Sequence, residues 1–89
     1  MEITEIKIYM MEDRGNLLGY ANVVLNDSIV LRGIKIMDSK KGRFIAMPSK
    51  RNKKQSKQQF MEFYHPINKE ARTRLTNAIL EAYKRAEKE

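Results

Sequence analysis

Lys50, Arg51, Lys53, Lys54 and Lys57 fall within positions 50–57, interleaved with Asn52, Gln55 and Ser56. No acidic residue occurs from Ser39 to Met61, so nothing close in the chain cancels this charge. Ammonium and guanidinium groups at this density bind anions, and arginine can hold a phosphate with two parallel hydrogen bonds. A polyanion suits such a run, above all the phosphate backbone of nucleic acid. The plainer reading of a charge run is a solvated surface, and the density and imbalance of this one weigh against it. Pro48 stands just before the run. It removes a backbone donor and interrupts ladder pairing, so Phe44-Ile45-Ala46-Met47 reads as a strand that delivers a flexible cationic loop into solvent.

A second set of cations lies near the C-terminus: Lys69, Arg72 and Arg74, then Lys84, Arg85 and Lys88. On a helix, Arg72 and Arg74 diverge by about 200° around the axis, whereas Arg74 and Arg85 share a face. Lys84 and Arg85 have a sufficient structural role as complements to the helix dipole. The candidate phosphate-binding residues are therefore Lys50, Arg51, Lys53, Lys54 and Lys57, joined by Arg72 and Arg74. Tyr9, Phe60, Phe63 and Tyr64 could stack on unpaired bases. For Phe60 and Phe63, core and sheet packing is the expected role.

Other chemistries are poorly served. The chain has no cysteine, and its single histidine, His65, adjoins Pro66. A metal site needs more nitrogen or sulfur ligands than that, so His65 reads as a packed or hydrogen-bonded structural residue. Asp13, Asp27 and Asp38 all fall in turns. No nucleophile–base pair, Walker A loop or G-x-G-x-x-G run is present. The sequence leads us to expect no enzyme, no cofactor, no metal and no small-molecule substrate.

The elements that must position these residues follow from periodicity. Glu2 to Met11 reads as a strand with Thr4, Ile6, Ile8 and Met10 on the buried face and Glu5, Lys7 and Tyr9 on the other. Gly15 and Asn16 suit a turn. Leu17 to Leu25 is a second strand, with Leu18, Tyr20 and Val24 on one face and Ala21, Val23 and Leu25 on the other. Being apolar on both faces, it should be a central strand or one covered by a partner. Asn26-Asp27-Ser28 is a tight turn. Ile29 to Asp38 is a third strand whose apolar parity slips between Leu31 and Ile34, which places a bulge at Arg32-Gly33. After a turn at Ser39-Lys40-Lys41-Gly42, Arg43 to Met47 forms a fourth strand, and Gln58 to His65 a fifth. Asn68 is a helix N-cap with Glu70 in the first turn. Ala71, Leu75, Ala78, Ile79, Ala82, Tyr83 and Ala86 then form one apolar stripe from Lys69 to about Ala86.

The expected fold is α+β: one domain over residues 1–89, an antiparallel meander of four to five strands with one face covered by a C-terminal helix. Chains of this length bury only about 60–65% of their unfolded surface, so a homodimer is expected. The net charge of +7 points to an anionic partner. No apolar run is long enough to span a bilayer and MEITEIKIYM is not a signal peptide, so the expected setting is cytoplasmic, with no membrane partner.

Phe44-Ile45-Ala46-Met47-Pro48-Ser49-Lys50-Arg51 resembles the F-x-A-M-P-S-K-R signature of the stage V sporulation protein G family, the SpoVG septation regulators. His65-Pro66-Ile67-Asn68 resembles the H-P-I-N box that precedes that family's helix. The opening MEITEIKI and Ile34-Lys35-Ile36-Met37-Asp38 also follow its pattern, and the similarity runs from Met1 to about Arg85. The resemblance implies a small cytoplasmic, homodimeric protein that binds DNA and, in some members, RNA, with roles in gene regulation, septation and sporulation. The family pattern has a short proline-aspartate-glycine turn after the Lys-Arg pair. Here the more cationic Asn52-Lys53-Lys54-Gln55-Ser56-Lys57-Gln58-Gln59 stands in its place. The rival expectation is a protein-interaction module in septation, whose positive surface meets an acidic protein rather than nucleic acid.

Overall fold

A computed structural model of the chain describes residues 2–11, 15–52 and 59–88, with the backbone alone for 50–52 and 59–61. In chain order the elements are β1 (Ile3–Met10), β2 (Leu17–Leu25), β3 (Ile29–Ser39), β4 (Gly42–Ala46), β5 (Ser49–Asn52), β6 (Gln59–Glu62) and α1 (Lys69–Glu87). The first four strands form one antiparallel sheet in the order β1-β2-β3-β4, and β5 and β6 pair as a separate two-stranded ribbon. The fold is thus the expected α+β meander closed by a C-terminal helix.

The turns between the sheet strands explain the meander. Asn26 and Asp27 both take positive φ, 51° and 49°, and the Ser28 amide donates to the Leu25 carbonyl. That is a type I′ turn, whose twist matches the strands on either side. Asn26 also ties down the start of β1, since its amide donates to the Glu2 carbonyl and its Oδ1 accepts from the Glu2 amide. Gly42 at φ 120° closes the β3–β4 turn.

Three register shifts set which residues reach the core. Ala21 pairs with Ile34 and Val23 with Leu31, so Asn22 alone faces Arg32 and Gly33. This is the expected bulge; Gly33 sits at φ 81° and its amide donates to Asn22 Oδ1 at 3.1 Å. A second shift inserts Thr4 into β1 and a third inserts Leu18 into β2. The Thr4 shift corrects the reading of β1. Ile3, Ile6 and Ile8 pack on the core, while Thr4 and Met10 are exposed. Thr4 Oγ1 instead donates to the Val24 carbonyl and accepts from the Asp27 amide.

The core lies between one sheet face and α1. Ala21, Val23, Ile34, Ile36 and Ile79 have no solvent exposure, and Leu75 and Tyr83 from the helix are also buried. Asn68 caps the helix as expected, its Oδ1 accepting from the Ala71 amide at 2.7 Å. Gly19 is required where β2 passes β1, because a Cβ there would run into the Tyr9 carbonyl oxygen. At the other end of α1, Arg43 lies over the Tyr83 ring, 5.0 Å from its centroid, and pairs with Glu87 through two hydrogen bonds.

Candidate nucleic-acid interface

The start of the cationic segment, expected as a loop, is a paired strand. Lys50 and Arg51 lie on β5, where Lys50 pairs with Met61 and Arg51 with Phe60. Pro48 does interrupt the ladder after β4, as expected, but its carbonyl then accepts from the Phe63 amide at 2.9 Å and anchors the next pairing. Four residues without apolar periodicity form this strand because β6 supplies their backbone partners. Lys53, Lys54 and Lys57 lie outside the described residues.

The last strand is shorter than the expected Gln58–His65. It ends at Glu62, and Phe63 and Tyr64 bend away toward Pro66, a residue that disfavours helical backbone before it. The bend changes both aromatic roles. Phe63 is 67% exposed rather than packed, and Tyr64 turns its ring toward the core while its hydroxyl donates to the Arg32 carbonyl. Tyr64 therefore staples the strand–helix junction to the β3 bulge and is not free to stack. Burial raises its pKa above the ordinary tyrosine value. Phe60's side chain is outside the described residues. His65 is exposed, with Nδ1 3.1 Å from the Pro66 carbonyl oxygen. It is hydrogen-bonded at the junction but not packed.

Arg72 and Arg74 are both exposed on the first turns of α1 and are not brought together. Arg74 lies at the rim of a groove of about 530 Å³ floored by Leu25, Leu31, Met47, Ala71 and Leu75. Arg85, expected to share a face with Arg74, is paired with Glu81 at 3.3 Å, one helical turn back. Arg43 is also engaged, and its hydrogen bonds to Glu87 raise its pKa. Among the described residues no group of three or more histidines, aspartates or glutamates is placed to hold a metal, and no helix is long and apolar enough to cross a membrane.

A surface that periodicity alone did not assemble is the sheet face turned away from α1. Tyr9 pairs with Tyr20, Tyr20 with Lys35 and Lys35 with Ala46, so these residues form one row across the sheet. Phe44, opposite Met37, lies on the same face, as does Lys7, opposite Asn22. Tyr9 and Phe44 are 48% and 43% exposed, which leaves ring surface open to solvent. The alternation of Lys7 and Tyr9 was visible in the sequence, but only the register brings Tyr20 and Lys35 alongside them.

A four-stranded antiparallel sheet with a single covering helix and a cationic ribbon defines a small α+β domain, with no recognisable catalytic set among the described residues. Its sequence matches the SpoVG family over residues 1–85. It is 37% identical over 86 residues to the SpoVG protein of Archaeoglobus fulgidus, covering 97% of this chain and 98% of that one. The corresponding protein of Desulforudis audaxviator is 41% identical over 83 residues, covering 93% and 91%. That of Clostridium beijerinckii is 38% identical over 86 residues, covering 97% and 91%. The chain belongs to the SpoVG family, and these relatives carry septation in their names.

Proposed function

We propose that this domain is a non-enzymatic regulator in the cytoplasm that binds DNA, and RNA in some settings, in the service of septation and gene expression. The observation that supports this reading is the acid-free cationic segment 50–57, rooted in the β5–β6 ribbon. A paired backbone fixes the positions from which Lys50 and Arg51 extend, so less backbone entropy is lost when phosphate binds. Affinity would come from phosphate contacts by Lys50, Arg51, Lys53, Lys54 and Lys57, with Arg72 and Arg74 adding to the field. The active form would be a homodimer, since β1 and β4 are the sheet's two edges and edge strands in small domains gain from cover.

The test is a salt titration of duplex DNA binding, with Lys50, Arg51, Lys53 and Lys54 all changed to Ala. For every phosphate the variant no longer neutralises, the slope of log affinity against log salt should flatten by about 0.9. A folded variant with an unchanged slope would refute the assignment. Sedimentation at micromolar concentration tests the dimer, and a monomer alone would remove it.

A second reading, a protein-interaction module in septation without nucleic acid, is favoured by the apolar groove beneath Arg74, where Ile67 is 88% exposed. It predicts that the wild-type domain shows no salt-dependent shift with DNA and that Ile67→Asp abolishes capture of a septation partner.

A further inference from the structure

The uncovered sheet face has a composition that solvent exposure alone does not explain. Tyr9 and Tyr20 are cross-strand partners, so their Cβ atoms stand about 5 Å apart. Phe44 lies two strands beyond Tyr20 and one side-chain repeat along, roughly 12 Å away given the strand spacing and rise. Each tyrosine has a lysine neighbour on the same face: Lys7 is one repeat from Tyr9 on β1, and Lys35 is directly opposite Tyr20 on β3. Both lysines are exposed. Among the described strand residues of this face, Glu5 is the one acid, and it lies toward the far end of β1.

Tyr9 and Phe44 lie open on the sheet with half-buried Tyr20 on the same face, and with Lys7 and Lys35 beside the tyrosines they match a chain of flat bases joined by phosphates. Aromatic side chains stack on bases of any sequence, and neighbouring lysines meet the backbone. A second copy of this chain is the poorer occupant. A self-interface would bury Lys35 near its centre, where lysine is depleted in protein interfaces, and Glu5 would have to offset two lysines from each copy.

Resting on the reading of the domain as a nucleic-acid binder, we propose that this face is a stacking platform for an unpaired polynucleotide strand. Tyr9, Tyr20 and Phe44 are the stacking rings, and Lys7 and Lys35 are phosphate contacts. The platform belongs to the four-stranded sheet and not to the β5–β6 ribbon, so one domain would hold a single strand on its sheet and duplex phosphates on its cationic segment.

The experiment compares a fluorescent oligothymidylate of about twelve nucleotides, within the range such surfaces cover, with a duplex of similar length. Tyr9→Ala and Tyr20→Ala should each weaken single-strand binding about 5- to 100-fold and leave duplex binding within about twofold. Tyr9→Phe should bind the strand like wild type, because the ring is kept. Lys7→Gln and Lys35→Gln should each flatten the single-strand salt slope by about 0.7. Photocrosslinking of the wild-type domain to a strand carrying 5-iodouracil needs no variant to fold, and its crosslinks should map to Tyr9, Tyr20 or Phe44. Crosslinks confined to segment 50–62 or to α1 would overturn the proposal. Equal loss of single-strand and duplex binding, or dissociation of a dimer by Tyr20→Ala, would also overturn it, the latter by making the face a self-interface. Duplex binding without single-strand binding refutes the platform and leaves the cationic ribbon intact, whereas binding to neither refutes both.

Discussion

The two faces of the four-stranded sheet come from alternate residues of the same strands, and they differ in how far water reaches them. Toward α1 stand Ala21, Val23, Ile34 and Ile36, all without solvent exposure. Away from it stand Tyr9, Tyr20, Lys35 and Phe44. Strand geometry makes this separation possible, because successive side chains point to opposite faces and each face can vary without altering the other. The inner set is constrained by volume and dehydration. Of the outer set, Tyr9, Lys35 and Phe44 are exposed and escape both constraints while Tyr20 is half-buried, so exposed rings and a lysine there need another explanation, and binding supplies one.

The contrast is most vulnerable from the inside. Ile34→Ala should cost about 2–5 kcal/mol, a large part of the roughly 5–15 kcal/mol typical of such domains, and urea unfolding would read it as a lower midpoint. Tyr9→Ala, on the opposite face, should stay within about 1 kcal/mol, the scale of a cross-strand aromatic pair. If the two losses proved equal, the outer rings would be part of the fold rather than a surface.

Gly19→Ala probes the same division at the backbone. The added Cβ meets the Tyr9 carbonyl oxygen, so β1 must shift, at a cost of about 1–3 kcal/mol. Because Tyr9 moves with its carbonyl, the same variant should also disturb the outer row. Hydrogen exchange should then show faster opening at the β1–β2 pairs than at β3–β4.

Smaller effects are expected at the edges of the core. Arg43→Ala removes the stack on Tyr83 and both hydrogen bonds to Glu87. Arg43 and Glu87 are both more than a third exposed, so the destabilisation should be about 1 kcal/mol and should shrink as salt is added. Tyr64 adds a pH dependence. Its folded pKa is raised by burial, so the stability it contributes is complete below the unfolded tyrosine value of about 10 and is lost as pH rises through the raised folded value. Thermal unfolding of Tyr64→Phe should lack that alkaline component. At neutral pH the variant should be about 0.5–1.5 kcal/mol less stable for want of the bond to the Arg32 carbonyl.

Much of this fold could be read from spacing because spacing is what the core face requires. The apolar parity of β3 slips between Leu31 and Ile34, and the bulge stands there. Asn68 caps α1, and Leu75, Ile79 and Tyr83 line its buried stripe. What stayed hidden depended on pairing with other strands rather than on a segment's own spacing. Ser49–Asn52 has no apolar pattern and becomes a strand only because β6 hydrogen-bonds to it. Thr4 looked like a core residue because one inserted position reverses the parity of everything before it. For the candidate site, Lys50 and Arg51 announced themselves by charge. The Tyr9–Tyr20–Lys35 row could not, since its members come from three strands.

The order of elements also has a temporal side. Every neighbour in the main sheet is a neighbour in the chain, so β1 to β4 can assemble as each hairpin is synthesised. Their lid comes last: Tyr83 leaves the ribosome after Ala46 by about two to seven seconds at ordinary elongation rates. During that interval the nascent sheet has its greasy side, Ile34 and Ile36 included, open to every other protein nearby. Chaperone capture of ribosome-bound chains should therefore peak once β4 has emerged and fall when α1 can close.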